Sequence, residues 1–355
     1  MLLVIFGAGA SYDSVPDFVP GARLKARVAA AAGGNPEDLR PPLANELFDN
    51  RPLFVNAMTR FPEFLPLVPI LRKKGVAVEK ELARFQAQAD KFPRVHQELA
   101  AIRYYLHFAL WECQRFWRDA HKGITNHLTL LREIERWRYE CSEQVCFVTF
   151  NYDTMLEEAI QQFLDFEIRK VDDYLSLGSY MLIKLHGSIN WGYEIDISPT
   201  GYTVQRIIKE RASLQITNHI ELIRGHPMLE QEGRLYFPAV SIPVENKDEF
   251  TCPEKHVEAL EAALPKVTKV LTVGWRATEQ DFLNKLQYKL PEKPDLMIIS
   301  GDANGAGETY SNLTRQGPTR YRQTQHGENG FTGLIMNSLG LLDAFLREPP
   351  SEVRR

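Results

Sequence analysis

The sequence predicts an α/β protein with a Rossmann-like, doubly wound parallel sheet. Short apolar runs rich in Val, Ile and Leu recur along its 355 residues, as expected of strands that are covered on both faces. Helical patterns follow two of these runs, at residues 154–166 and 278–290, and a strand followed by a helix is the repeating unit of a doubly wound sheet. The predicted strands are residues 2–6, 145–150, 181–185, 267–273 and 296–299.

Two insertions interrupt this alternation. Residues 35–140 contain no predicted strand: a proline-rich part is followed by a helical part, and the helix at 94–118 carries aromatic residues around most of its circumference. Such a helix is normally buried in a subdomain or in an oligomer interface. Residues 192–265 have weak periodicity and are predicted to form a smaller, irregular or mixed insertion. The predicted sheet domain is discontinuous and comprises residues 1–34, 141–191 and 266–347.

Composition and charge argue against several classes of protein. The chain has 42 Lys and Arg against 46 Asp and Glu, a formal charge of −4, which argues against direct nucleic-acid binding. No apolar run reaches the ~18–20 residues that span a bilayer. The four cysteines form no CxxC pair, so the sequence offers neither a zinc ribbon nor a dense disulfide framework. We therefore expect a cytoplasmic protein without a bound metal.

The glycine-rich segment after the first strand is the first candidate for ligand binding. Gly7, Ala8, Gly9 and Ser11 come directly after this strand, and glycines at a strand end let the backbone approach a pyrophosphate. The dehydrogenase fingerprint GxGxxG needs a glycine where Tyr12 stands, and no acidic strand end follows about 20 residues later. This motif alone leaves two alternatives open, nucleotide binding and a tight structural turn.

Polar residues follow the second and third predicted strands. Asn151 and Asp153 come after the second strand, and a helix N-cap would explain one of them but not both. His186 follows the third strand and precedes Gly187 and Ser188. Since α/β sheets bind ligands at the carboxyl ends of their parallel strands, we expect these side chains to lie at that edge.

The last two predicted strands end in the same manner. Gly274 follows one of them, and Ser300 and Asp302 follow the other, where a hydroxyl or a carboxylate could hold ribose hydroxyls. Five strand ends with glycine or polar residues on one edge of a sheet are a stronger signal than any single motif. The sequence therefore predicts a ligand site along that edge.

In their order along the chain, these segments resemble the motifs of the sirtuin superfamily, whose members bind NAD in an extended cleft. The GAGAS segment with Asp17 and Phe18 resembles the family's GAG loop and PDF element, TFNYD at 149–153 resembles TQNxD, and LHG at 185–187 matches the catalytic HG. The strand ends at 273–274 and 300–302 resemble the family's ribose- and phosphate-contacting segments. The resemblance implies NAD contacts for Gly7, Ala8, Gly9, Ser11, Asp17, Phe18, Asp153, Gly187, Ser188, Gly274, Ser300 and Asp302.

The sequence also departs from the deacylating sirtuins. Those enzymes carry a zinc ribbon of two CxxC pairs, an arginine where Val19 stands and a glutamine where Phe150 stands. The segments KLHGSINW, FNYD and GWRATEQDF are more similar to the zinc-free, sirtuin-like NAD hydrolases of prokaryotic antiphage defence, which often carry large helical insertions. The Asn and His of these motifs are catalytic in that group, which implies catalytic roles for Asn151 and His186. After Gly274, WRA replaces the usual small hydroxyl residue, which puts the local phosphate contacts in question.

The resemblance implies an NAD glycohydrolase that yields nicotinamide and ADP-ribose, with NAD as substrate and no metal. Nicotinamide leaves NAD as a neutral molecule, so no general acid is required; Asn151 can bind the ribose or the attacking water, and His186, a residue type with an ordinary pKa of about 6.5, can act as base. The alternatives are NAD-dependent protein deacylation, ADP-ribosyl transfer, and a non-catalytic subunit that senses NAD or ADP-ribose. The expected partners are further copies of the chain and an activating protein such as a HerA-like ATPase.

Overall fold

The computed structural model describes residues 1–15, 36–73, 78–89, 91–197, 201–223, 230–231, 233–243, 250–291, 293–316, 321–322, 324–327 and 329–348. Asp17 and Phe18, for which NAD contacts are expected, lie outside the described residues. Among the helices within these ranges, none combines the length and the apolar character needed to span a bilayer.

The described strands form two sheets and are numbered along the chain. The six-stranded sheet contains β1 (Leu2–Phe6), β2 (Val145–Thr149), β3 (Tyr180–Lys184), β8 (Lys269–Val273), β9 (Asp295–Ile299) and β10 (Thr324–Gly327). The four-stranded sheet contains β4 (Gly187–Ile195), β5 (Ile216–Leu222), β6 (Glu230–Gln231) and β7 (Arg234–Val240).

The six-stranded sheet is parallel throughout, with the order β10-β9-β8-β1-β2-β3. Five of its strands match the five predicted from the sequence, and the edge strand β10 is an addition. The direction in which successive strands are added reverses between β1 and β8, and ligands of such sheets bind at this switch point. The predicted fold class, a Rossmann-like doubly wound sheet, is confirmed.

The α-helices are also numbered along the described chain. They are α1 (Ala8–Tyr12), α2 (Pro52–Arg60), α3 (Val68–Leu71), α4 (Val78–Gln86), α5 (Pro93–His121), α6 (Asn126–Cys141), α7 (Met155–Leu164), α8 (Val204–Glu210), α9 (Glu254–Ala263), α10 (Gln280–Lys289), α11 (Ala303–Gln316), α12 (Gly330–Asn337) and α13 (Leu339–Arg347).

Helices cover both faces of the six-stranded sheet. In β1, Leu2, Val4 and Phe6 belong to one hydrophobic cluster, while Leu3 and Ile5 belong to another, the period of two that is expected of a strand. Helices α6, α7, α12 and α13 contribute to the first cluster, and α9, α10 and α11 to the second. Because every residue of β1 is apolar and successive side chains lie on opposite faces, a hydrophobic core lies on each side of the sheet.

The aromatic helix predicted at 94–118 is α5, and it is buried within the chain. Tyr105 stacks on Phe48 of the helical insertion, with ring centroids 5.5 Å apart. On another side, Tyr104 meets Phe237 of β7 edge-on at 5.5 Å and donates a hydrogen bond to the carbonyl of Tyr236. The insertion and the second sheet thus bury Tyr104 and Tyr105 on two sides of α5, while Trp111 and Phe116 of the same helix are half-buried.

The region predicted as an irregular insertion contains most of the second sheet, with the antiparallel order β5-β4-β7-β6. Strand β4 starts at Gly187, directly after His186, and therefore begins inside the range 141–191 that we assigned to the sheet domain. Its burial does not alternate, because Ile189 and Ile195 belong to the hydrophobic cluster that includes α5, while Trp191 belongs to a cluster of the six-stranded sheet. The division of the chain into 1–34, 141–191 and 266–347, with insertions at 35–140 and 192–265, is retained as a proposal.

Candidate functional site

The register of the parallel sheet brings the predicted strand ends into one row. Gly327, Ile299, Val273, Phe6, Thr149 and Lys184 are successive Cα partners across the six strands. One position further along lie Ser300, Gly274 and Gly7, and two positions beyond the row lie Asn151 and His186. The sheet therefore gathers these predicted residues at its carboxyl edge.

The start of α1 packs against the loop after β8, glycine against glycine, at the switch point. The N–H of Gly9 donates to the carbonyl of Gly274 at 3.0 Å. Gly274 has φ = +58°, and a Cβ added there would lie 2.4 Å from the Ala10 nitrogen. A Cβ on Gly7 would lie 2.5 Å from the Gly274 oxygen. Contact between the start of α1 and the loop after β8 is therefore enough to require these glycines.

Hydrogen bonds join α1 and its N-cap residue, Gly7, to the loop after β2. The Asn151 side chain is 9% exposed, and its Nδ2 donates to the carbonyl of Gly7 at 2.9 Å and to Ser11 Oγ at 2.8 Å. Ser11 Oγ donates in turn to Asp153 Oδ2 at 2.6 Å. The other oxygen of Asp153 accepts from the N–H of Met155 at 3.1 Å and so caps the start of α7. Asp153 thus provides the expected cap of α7, and Asn151 links the loop after β2 to α1.

A buried ion pair that sequence reasoning missed supports the same loop. Lys184 and Glu157 are 0% and 2% exposed, and their charged atoms lie 2.8 Å apart. Lys184 Nζ also donates to the carbonyl of Asp153 at 2.5 Å. Burial raises the pKa of Glu157, and the charge of Lys184 opposes that rise. The available signal was a single lysine in the otherwise apolar strand β3.

His186 lies at the same edge against an aromatic wall. Its ring is edge-on to Phe150, with centroids 4.9 Å apart, and tilted against Tyr152 at 6.3 Å. Phe150 stacks in parallel on Trp275 at 5.5 Å. The backbone carbonyl of His186 accepts hydrogen bonds from the N–H and the Oγ of Ser241. Ser241, directly after β7, therefore fixes the backbone of His186, while Phe150 and Tyr152 of the loop after β2 lie beside its imidazole.

The two residues after His186 have packing roles in the structure. Gly187 has φ = +79°, and a Cβ there would lie 1.9 Å from the carbonyl oxygen of Ala239. Ser188 is fully buried, and its Oγ donates to the carbonyl of Tyr152 at 3.3 Å. Contact with β7 is thus sufficient to require glycine at 187, and Ser188 holds the loop after β2.

The loop after β9 lies at the far side of the switch point. Asp302 is exposed, and its Oδ1 accepts from the N–H of Gly305 at 2.7 Å, at the start of α11. Ser300 is half-buried, and its carbonyl accepts from the N–H of Gly330 at 2.8 Å.

Asp13 is a further polar residue that the sequence did not single out. Its Oδ2 accepts from the N–H of Thr332 at 2.9 Å and its Oδ1 from the Thr332 hydroxyl at 2.5 Å, which caps α12. The backbone carbonyl of Asp13 accepts from Asn126 Nδ2 at 2.8 Å. Asp13, directly after α1, therefore links the GAGAS segment to α6 and α12.

No group of three or more His, Cys, Asp or Glu side chains within the described ranges is arranged to hold a metal ion. The four cysteines, Cys113, Cys141, Cys146 and Cys252, form no disulfide.

Comparison with known proteins finds similarity only among solved structures. No protein-family model and no curated protein matches the chain. A Sir2 homologue in complex with 2′-O-acetyl ADP ribose matches with 14% identity and a TM-score of 0.38, over 98% of this chain and 93% of that chain. A Sir2 homolog–NAD complex matches with 15% identity and a TM-score of 0.36, over 96% and 88%. Sir2 bound to acetylated peptide matches with 12% identity and a TM-score of 0.33, over 96% and 90%. With these values, the fold class of the chain rests on its own strand order and register.

Proposed function

We propose that the chain binds NAD along the carboxyl edge of the six-stranded sheet and hydrolyses the bond between nicotinamide and ribose. The observation that carries the proposal is the chain of hydrogen bonds from Asn151 to Ser11 and from Ser11 to Asp153. It joins α1 to the loop after β2 beside the switch point, and Asn151 and His186 each lie two positions beyond the Cα partners Thr149 and Lys184. The proposed dinucleotide contacts are those of the described strand ends: Gly7, Ala8, Gly9, Ser11, Asp153, Gly187, Ser188, Gly274, Ser300 and Asp302.

The contacts of Asn151 define what its side chain can do in this reaction. Both amide hydrogens have acceptors, on Gly7 and Ser11, so the side-chain oxygen is the group left to accept from a ribose hydroxyl or from water. We therefore assign Asn151 an orienting role toward the ribose. In the same site, Asp153 is held by Ser11 on one oxygen and by the N–H of Met155 on the other.

His186 is the base in the proposed reaction. Water attacks the ribose C1′ as the bond to the nicotinamide nitrogen breaks; nicotinamide leaves neutral with the bonding electron pair, and His186 takes the proton that the water loses. The products are nicotinamide, ADP-ribose and a proton. Because the leaving group carries no negative charge, this bond cleavage needs neither a general acid nor a metal. Phe150 lies edge-on to the imidazole and stacks on Trp275, so one side of the His186 ring faces an aromatic residue instead of water.

The proposal includes control by assembly, because unrestrained NAD hydrolysis would deplete the cell that makes the protein. We place the chain among NAD-depleting effectors of antiphage defence, activated in the cytoplasm by self-association or by a partner such as a HerA-like ATPase. The helical insertion offers a surface for such contacts, since Val55, Leu65 and Ile70 are each about 40% exposed.

The test is release of nicotinamide from NAD by the purified full chain, alone and with candidate partners. We expect His186→Ala and Asn151→Ala to lower turnover at least ~100-fold, the lower end of typical acid–base contributions. His219→Ala is the matched control, since the side chain of His219 is 65% exposed, and it should stay within twofold.

Other outcomes would redirect the assignment. Turnover that appears only with an acylated peptide indicates a deacylase, and ADP-ribose attached to protein indicates a transferase. NAD binding without turnover under every condition indicates a sensing subunit. Normal turnover in a folded His186→Ala protein would remove His186 from the mechanism.

A further inference from the structure

Helix α5 of the helical insertion reaches the loops of the candidate site at two points. Trp117 Nε1 donates to Ser14 Oγ at 3.1 Å, in the loop that follows α1. One turn earlier on the same helix, Gln114 contacts Thr154, in the loop that follows β2. The insertion therefore contacts the loop that follows α1, the helix that contains Ser11, and the loop after β2, which contains Asn151 and Asp153.

The Gln114 amide is used completely in this contact. Its Oε1 accepts from the N–H of Thr154 at 2.7 Å, and its Nε2 donates to Thr154 Oγ1 at 2.5 Å and to Glu158 Oε1 at 2.7 Å. Gln114 is 6% exposed, so water cannot readily replace these bonds. Thr154 is the N-cap of α7, and its own side chain makes no capping hydrogen bond. Gln114 therefore holds the N-cap residue of α7 from another part of the chain, beside the cap that Asp153 provides.

The surroundings of Glu158 strengthen the contact. Burial raises the pKa of the Glu158 carboxyl, and Arg118, Thr154 and Gln114 each oppose the rise. Arg118 lies 3.3 Å from Glu158 Oε1. Two residues of α5, one turn apart, thus bind the first turn of α7, directly after Asp153.

The geometry points to Gln114 as a positioning residue, through which the helical insertion sets the conformation of the loop that carries Asn151 and Asp153. This inference rests on the proposed function for its catalytic consequence, but not for its structural one. A shift of α5 relative to the sheet would break three hydrogen bonds at the start of α7 and release the loop. A partner that binds the insertion would in this way change the site without touching NAD.

Hydrogen exchange and steady-state kinetics test the inference on the full chain. For Gln114→Ala we expect the amide of Thr154 and those of the first turn of α7 to exchange at least tenfold faster. We expect kcat for nicotinamide release to fall at least tenfold and KM to change less than threefold, because the loop orients the reacting groups. Gln97→Ala is the control: Gln97 lies on the same helix, its amide donates to the Lys209 carbonyl in an exposed contact, and both readouts should stay within twofold.

A charge swap keeps the test decisive if the alanine variant folds poorly. Gln114→Glu retains the acceptor for the Thr154 N–H but places a carboxylate against Glu158, so it should release the loop. Adding Glu158→Gln restores a donor opposite the new carboxylate and should return both readouts to within threefold of the parent. Unchanged exchange at Thr154 in either folded single variant would overturn the inference. If the parent releases no nicotinamide, the proposed function fails, while the exchange measurements still decide the role of Gln114.

Discussion

At the scale of single residues, the buried ion pair of Lys184 and Glu157 supports the loop that carries Asp153. Both side chains are removed from water, and Lys184 also holds the carbonyl of Asp153. Tyr174 donates from its hydroxyl to Glu157 at 3.3 Å. A buried pair need not stabilise a fold more than apolar residues would, but loss of one partner leaves an unpaired buried charge. Substitution of either Lys184 or Glu157 should therefore disturb the loop at Asp153.

We expect Lys184→Met to lower the free energy of unfolding by ~3–5 kcal/mol, since Glu157 then loses its cation. The double variant Lys184→Met with Glu157→Gln should recover part of this loss, because no charge remains buried. Urea unfolding of both single variants and the double variant measures the coupling. Lys289→Met is the control: its pair with Glu261 is 45% and 33% exposed and should contribute less than ~1 kcal/mol. Additive effects of the two single substitutions would contradict the coupling.

At the scale of structural elements, two loops and the strands before them form the switch point. The start of α1 approaches the loop after β8 so closely that neither segment has room for a Cβ at the contact. These segments are far apart in the chain, and glycine is required in each of them only because the other segment packs against it. A substitution in either loop should therefore affect both.

We expect Gly274→Ala to destabilise the protein by ~1–3 kcal/mol and to abolish NAD binding at the candidate site, because the new Cβ must displace Gly9 and Ala10. Gly307→Ala in α11 is the matched control. Gly307 is exposed in a helix with no atom within 4 Å of an added Cβ, so its replacement should stabilise the protein by ~0.5–1 kcal/mol. Differential scanning calorimetry gives the melting temperature, and isothermal titration calorimetry gives the affinity for NAD. NAD binding that survives in Gly274→Ala would show that the ligand does not use this loop contact.

At the scale of the whole molecule, three histidines are packed into different parts of the structure. Burial lowers the pKa of His121, His127 and His256 to about 4. Unfolding returns each of them to its ordinary pKa of about 6.5. Between these values the unfolded chain binds more protons than the folded one, so these groups make stability fall as pH drops from 6.5 toward 4. Above 6.5 they add no pH dependence.

We expect each of these histidines to contribute roughly 2 kcal/mol to the loss of stability between pH 7.5 and pH 5. His256→Gln tests this, since Gln can also donate to the Val171 carbonyl, which lies 3.1 Å from His256 Nε2. The urea-unfolding free energy of the variant should lose roughly 2 kcal/mol less than the parent over the same pH interval. His219→Gln, at an exposed position, should follow the parent. Equal pH dependence in His256→Gln and the parent would refute the assignment.

Apolar runs in the sequence were enough to predict the parallel sheet and the edge at which the candidate site lies. Strands buried on both faces are recognisable as apolar runs, and five of the six parallel strands could be read in this way. The glycine and polar residues after them could be assigned to one edge, because parallel strands all end on the same side. Strand β10, with the sequence TQHG, has no apolar side chain, and the burial of β4 and β7 does not alternate, so neither β10 nor the second sheet could be predicted.

Only the tertiary structure decided how the residues at that edge are connected. Ser11 and Asp153 are 142 positions apart, Gln114 and Thr154 are 40 apart, and Asp13 and Thr332 are 319 apart. A sequence shows which residues can donate or accept, but a hydrogen bond needs its two atoms within ~3 Å, and the packing of helices on the sheet decides which pairs come that close. For the same reason Tyr104 and Tyr105 of α5, a helix that the sequence left open to an oligomer interface, proved to be buried by the chain itself.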